Sequence, residues 1–467
     1  MMDVIPTQAS HSLQYHITPE VGLMNDPNGL VYFHGEYHVF FQWNPTGLTH
    51  TNKHWGHVVS KDMLHWQRLP AALSPSKPYD KDGIYSGSAI VHEDILYLFY
   101  TGNVVKEDGR KESYQCLATS TDGRTFIKHG CLFSHPEGYT RHVRDPKVWH
   151  ADDFFWMLLG AQTVSETGTV LLYRSKNVFN WEFMGPFGEN LPVTLGYMWE
   201  CPDYLSFEET DVMLFCPQGL MQEGHHFANI HQSGYFTGHL TTSGHFKKSA
   251  EAFQELDAGF EFYAPQTFQQ QERTIMYGWM GFMPPEQEAA LPTVYDNWVH
   301  TLTIPRVLTI ENQHVIQQPV CEMMQLRSVY GSVDEWLTKD SQFQFDQSDF
   351  ELVLSFEKTP TEFCLELLSG FVLRYDAQDH HLILERKNWL NQQIEQRVGE
   401  LNEALAHLQL FVDGSSVEIF VNHGRLVFSA RYFVDADNTS QRTICVKGQS
   451  LAIHWCSYLL DTSHFMR

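Results

Sequence analysis

Ser60-Lys61-Asp62-Met63-Leu64-His65-Trp66 returns twice farther along the chain, as Ser120-Thr121-Asp122-Gly123-Arg124-Thr125-Phe126 and as Ser175-Lys176-Asn177-Val178-Phe179-Asn180-Trp181. Each copy follows a short strand-like run: His54–Val59, Tyr114–Thr119 and Thr169–Arg174. A second pattern interleaves with the first. Leu30–Phe41, Ala89–Tyr100, Lys147–Leu159, Tyr204–Phe215 and Thr267–Gly278 each read as strand, polar turn, strand. With Phe40, Phe99, Leu159, Leu214 and Tyr277 as equivalent places, the steps are 59, 60, 55 and 63 residues. A unit of about four strands repeated at such a period is the signature of a propeller, a ring of sheets around one axis. The rival is an all-β sandwich with chance similarity between segments, and the even spacing speaks against it.

The chain changes character near residue 320. Pro305 and Pro319 bracket a connecting segment, and Val320–Arg327 has room for one short helical turn. Alternating runs follow: Phe350–Phe356, Phe363–Leu368, His381–Glu385, Leu408–Val412 and Val417–Val421, the last two joined by the tight turn Asp413-Gly414-Ser415-Ser416. The expected fold is therefore all-β, a five-bladed β-propeller (residues 1–305), a connector (306–325) and a C-terminal β-sandwich (326–467). No linker is long enough to separate the two units, so they are expected to pack together.

Composition narrows the function. A net charge of −25 disfavours nucleic acid and anionic membrane as partners. The chain is rich in aromatics, 32 Phe, 20 Tyr and 12 Trp, which suit strands and stack on sugar rings. Its eight Cys are scattered without a C-x-x-C pair, and its His show no ligand spacing, so reduced thiols and no metal are expected. Met1 to Glu20 holds neither a basic n-region nor an apolar h-region, and no stretch resembles a membrane span. A cytoplasmic location is the expectation.

Counting back fourteen residues from each strand marker gives Asp26, Tyr85, Asp145, Glu200 and Tyr263. In a propeller, equivalent positions lie around one axis, so the repeat itself gathers three carboxylates at one channel mouth. Alone, Asn25-Asp26-Pro27-Asn28-Gly29 is an ordinary turn; the coincidence with Asp145 and Glu200 lifts it above that. Carboxylates packed together repel, and partial burial raises at least one pKa, an arrangement found at metal sites and acid/base sites. Calcium loops cluster their acids locally, unlike these three. Trp43, Trp55, Trp199 and Trp279 offer hydrophobic walls, although any one Trp is more often core. Asn25, Gln42, Ser86 and Arg144 offer contacts for sugar hydroxyls.

These stretches resemble glycoside hydrolase family 32, the β-fructofuranosidases. The resemblance is carried by Leu23-Met24-Asn25-Asp26-Pro27-Asn28-Gly29, Gln42-Trp43-Asn44-Pro45, Trp55-Gly56-His57, Tyr85-Ser86-Gly87-Ser88 and Arg144-Asp145-Pro146. It continues through Trp199-Glu200-Cys201-Pro202-Asp203, Tyr263-Ala264-Pro265-Gln266, Gly278-Trp279-Met280 and Asp413-Gly414-Ser415-Ser416-Val417-Glu418. It implies a retaining enzyme with Asp26 as nucleophile, Glu200 as acid/base and Asp145 as transition-state stabiliser. Asn25, Gln42, His50, Trp55, Tyr85, Ser86, Arg144, Tyr263 and Trp279 would bind substrate, with no cofactor. Two departures bear on the site. Leu23 stands where the family often has Trp, and His50 where many members carry Trp on the leaving-group side.

The implied reaction is hydrolysis of the fructosyl bond of sucrose and/or sucrose 6-phosphate, a small sugar being the only partner; the oligomeric state is open. Lys53, His54, Arg141, His142, His225 and His226 are candidate anion contacts near the mouth, each also readable as a solvated surface group. Cys201 either tunes Glu200 or simply fills space. A fructosyltransferase or fructo-oligosaccharide hydrolase would share the same residues, and a non-catalytic sugar-binding propeller would lack one of the three carboxylates.

Overall fold

The computed structural model describes residues 11–467 apart from 190, 193–194, 250–251, 329–332, 338–340, 346–348, 368–369, 434–441, 449–452, 464 and 467. Residues 1–10, the strand end expected at Leu368 and Cys445 in the sandwich thus fall wholly or partly outside the described residues, Cys445 by its side chain alone. Gly22–Pro319 forms five antiparallel sheets of four principal strands, some with short flanking strands. The first strands of the sheets are Gly22–Phe33, Ile84–His92, Tyr139–Ala151, Met198–Ser206 and Tyr263–Gln270. Each touches the next, and Tyr263–Gln270 returns to Gly22–Phe33, so the ring closes as a propeller. The closure is stitched by a parallel pairing of Gly22 and Leu23 with Trp298 and Val299.

The repeat has a physical cause. Asp62 Oδ1 accepts bonds from the backbone N–H of Leu64 and His65 and from the Ser60 hydroxyl. Asp122 does the same for Arg124, Thr125 and Ser120, and Asn177 for Phe179, Asn180 and Ser175. Met63, Gly123 and Val178 take the left-handed conformation the turn requires (φ 61°, 66° and 59°). Each motif is an Asx-type turn joining the third strand of a sheet to the fourth. Strands inside the ring are buried on both faces, so runs such as Glu36–Asn44 are almost continuously buried rather than alternating.

The connector expected at 306–325 is mostly sheet. Arg306–Glu311 and His314–Pro319 are the third and fourth strands of the last sheet. Pro305 and Pro319 flank this hairpin instead of marking a linker, and its turn residues Asn312 and Gln313 are both left-handed (φ 51° and 61°). The expected helical turn follows as a 3-10 turn at Cys321–Leu326.

Two six-stranded sheets make up the sandwich, with Leu352, Leu365, Leu373, Leu410, Ile419 and Trp455 buried between them. The expected hairpin is present, Asp413 facing Ser416. The two units share a core in which Tyr15 and Ile17 lie with Phe411 and Phe420. His16 is bonded to Asp413 (2.7 Å) and Glu418 (3.0 Å). Arg306 is bonded to Glu418 (2.5 Å) and Asp257 (3.2 Å). Among the described residues, no helix is long and apolar enough to cross a membrane.

Candidate active site

Every first strand breaks register where it reaches the ring's mouth. The pairing slips between Met24 and Pro27, Ile84 and Gly87, Arg144 and Lys147, Glu200 and Asp203, and Tyr263 and Gln266. A bulge re-aims side chains and leaves backbone groups free to bond across sheets. Asp145 and Cys201 adopt positive φ (64° and 46°) within these breaks. The slips turn Asp26, Asp145 and Glu200 into one pocket of about 370 Å3, lined also by Asn25, Gln42, His50, Tyr85, Arg144, Tyr263 and Trp279.

The three carboxylates have different partners. Asp26 accepts hydrogen bonds from Asn25 Nδ2 (3.2 Å), Gln42 Nε2 (2.9 Å) and the Ser86 hydroxyl (2.5 Å). Gln42 also bonds Ser86, which locks the set. Asp145 is buried, accepting from the Cys201 N–H at 3.1 Å while its own N–H donates to Thr101 Oγ1 at 3.0 Å. Glu200 meets the Arg144 guanidinium at 2.7 Å and accepts from Tyr263 Oη (2.7 Å) and Gln218 Nε2 (2.5 Å).

Charge follows from these environments. Burial pushes the Asp145 carboxyl up to about 7; Glu200 and Asp26 add repulsion, and Arg144 only partly offsets it. Burial acts the same way on Glu200, but Arg144 and the Tyr263 hydroxyl outweigh it and hold that carboxyl below its ordinary value. Asp145 therefore keeps its proton to higher pH than Glu200 does. Burial also brings Lys53 down to about 8, against the pull of Asp26 and Glu200.

Not every expected residue faces the pocket. Trp55 is fully buried against Phe40, its indole N–H donating to the Tyr85 carbonyl at 3.0 Å. It shapes the backbone that carries Tyr85 rather than walling the sugar site. Trp199 is likewise core, stacked on Phe215, and Trp43 donates to the Val21 carbonyl. Ser86 is buried behind Asp26. Lys53 is no surface group, since it is buried with its ammonium 2.9 Å from Asn25 Oδ1. Of the other anion candidates, Arg141 and His142 line the pocket, whereas His54 bonds Ser74. His225 and His226 border a separate cavity of about 430 Å3 between propeller and sandwich.

Gln218, Thr101, Lys111 and Phe282 went unread in the sequence. One had a signal. Thr101 lies two residues beyond its strand marker Phe99, as the expected Gln42 lies two beyond Phe40, so the count run forward along the second strand reaches the same mouth. Phe282 had none, because it comes from a connection outside the repeat.

The N-terminal domain model of glycosyl hydrolases family 32 matches residues 16–319, and the family's C-terminal model matches residues 322–454. Sucrose-6-phosphate hydrolase of Bacillus subtilis is 42% identical over 435 residues, spanning 91% of this chain and 89% of its own. The structure of sucrose-6-phosphate hydrolase from Lactobacillus gasseri superposes with a TM-score of 0.88 at 30% identity, over 97% of this chain and 93% of that one. A Bombyx mori GH32 beta-fructofuranosidase mutant in complex with sucrose superposes with a TM-score of 0.85 at 32% identity, over 98% and 95%. With both family models in order along the chain, this protein belongs to glycosyl hydrolases family 32.

Proposed function

We propose that the chain is a five-bladed retaining β-fructofuranosidase that hydrolyses the fructosyl bond of sucrose and/or sucrose 6-phosphate in the cytoplasm. The observation that carries this reading is the convergence of Asp26, Asp145 and Glu200 from three separate sheets, each with its own set of partners. In this reading the sandwich is a second domain buttressing the propeller.

Asp26, held by three donors, is the nucleophile. Its oxygen bonds the anomeric carbon of fructose as the bond to the glucosyl oxygen breaks. Glu200 delivers a proton to that oxygen, so glucose or glucose 6-phosphate leaves neutral at the broken bond. Water then attacks the fructosyl ester, giving its proton to Glu200 and restoring the Asp26 carboxylate. Asp145 holds fructose hydroxyls as positive charge develops. Arg144 keeps Glu200 in place, and Tyr263 orients its second oxygen. Asn25, Gln42, Tyr85 and Trp279 complete the fructose contacts, with His50 toward the leaving group.

The test is kcat/KM on sucrose and on sucrose 6-phosphate with purified protein. Both are expected to release fructose, and Asp26→Ala to lose turnover by roughly 10⁴-fold or more. A ten-fold preference for the phosphorylated sugar, about 1.4 kcal/mol, would assign Lys111, Arg141 and His142 at the mouth to the phosphate. Turnover of neither sugar would overturn the reading.

A further inference from the structure

Beside the sugar pocket, three segments bring three metal-ligating side chains to one point. His50 comes from the loop before the third strand of the first sheet, Glu288 from the short helix Pro285–Ala289, and His300 from the segment after Trp298–Val299. His50 Nε2 lies 3.1 Å from Glu288 Oε2, and His300 Nε2 lies 2.7 Å from the same oxygen. All three ligand atoms fall within 4.8 Å of one another. We propose that His50, Glu288 and His300 form a binding site for a divalent, zinc-like cation on the rim of the sugar pocket.

The donor set is the argument. Two imidazoles and one carboxylate with an open fourth position form a standard zinc ligand set. Around a tetrahedral ion with bonds of about 2.0–2.1 Å, ligand atoms stand roughly 3.3 Å apart, so the contacts of 3.1 and 2.7 Å to Glu288 would open by about 0.2 and 0.6 Å. His50 and Glu288, with side chains 41% and 16% exposed, have room to move, whereas His300 is fully buried.

A cation binding here takes the place of the proton between His300 Nε2 and Glu288 Oε2, which lie 2.7 Å apart. The other nitrogen of His300, Nδ1, has no hydrogen-bond partner. That limits affinity, since the Nδ1–H left in the bound form has no acceptor of the kind that orients a metal-bound histidine. The net charge of −25 favours approach of a cation.

An ion here ties the His50 loop to the segment beneath Trp279. The Trp279 ring stands edge-on to both imidazoles, with centroids 5.9 Å from His50 and 5.0 Å from His300. Of the three, His50 also lines the sugar pocket. The site does not depend on the catalytic reading above, and its test reads binding, not turnover.

Chelator-treated full-length protein is titrated with Zn²⁺ by calorimetry and with Co²⁺ by visible absorption. The expected result is one ion per chain, a cobalt spectrum of low-symmetry four- or five-coordinate type, and a raised Tm. His50→Ala, on an exposed loop and so no threat to folding, is expected to weaken binding about 10–100-fold, and Glu288→Gln to do the same. Absence of binding would overturn the proposal. So would zinc held with unchanged affinity by both variants, which would place the ion on other histidines or cysteines.

Discussion

Asp26 and Glu200 differ less in chemistry than in company, and the difference sets what each can do. Ser86 is one of three donors to Asp26. Ser86→Ala is expected to lower kcat/KM about 10-fold, about 1.4 kcal/mol, with an unchanged circular dichroism spectrum. The raised pKa of Asp145 predicts one limb of the pH profile. With a value of about 7, this carboxyl is protonated below that pH and ionised above it. A stabiliser of developing positive charge works ionised, so kcat/KM on sucrose should fall on the acid side of about pH 7; a flat profile down to pH 5 would refute it. The residues that would bear these effects were largely readable beforehand, because the propeller repeat turns equal spacing into shared location. Trp55 was not. Its motif marks it as special, but spacing cannot distinguish a residue facing the sugar from one that holds Tyr85 from behind.

At the scale of elements, the carboxylates depend on how closely the first strands approach. A Cβ on Gly160 would meet the Trp199 carbonyl oxygen at 2.2 Å, against the strand that presents Glu200. Gly160→Ala should cost about 1–3 kcal/mol of stability and lower kcat together with Tm, whereas Gly109→Ala, with nothing within 4 Å, should leave kcat unchanged. The strands announced themselves through aromatic and β-branched runs between turn residues, and the Asx turns through their Ser-x-Asp/Asn lead. The last hairpin was hidden. Asn312-Gln313 lacks the glycine that usually betrays a two-residue turn, and the prolines on either side imitate a linker.

The whole molecule is held together by ionic contacts that no single segment reveals. His16, fully buried between Asp413 and Glu418, has its pKa raised to about 9 because those carboxylates outweigh its desolvation. The folded value exceeds the unfolded one, about 6.5, so the contribution is complete below about pH 6.5 and is lost as pH climbs through about 9. It amounts to about 3 kcal/mol. Tm should decline over that window in the wild type and decline less in His16→Asn. Arg306→Met removes the guanidinium shared by two buried carboxylates, Asp257 and Glu418, and should destabilise by about 3–5 kcal/mol, read as a lower denaturant midpoint. The Asp413–Glu418 stretch was recognised as a family motif, but that it anchors residues near the other end of the chain is a tertiary fact without a local signal. The ring's closure has a consequence for synthesis. Gly22 and Leu23 sit four and three residues before Asp26, and their parallel partners are Trp298 and Val299. On the ribosome, the strand bearing Asp26 must wait until Val299 has emerged. At about 5–20 residues per second, nascent chains carry an unfinished first sheet for roughly fifteen seconds to a minute, and no chain stalled before that point can cleave sugar.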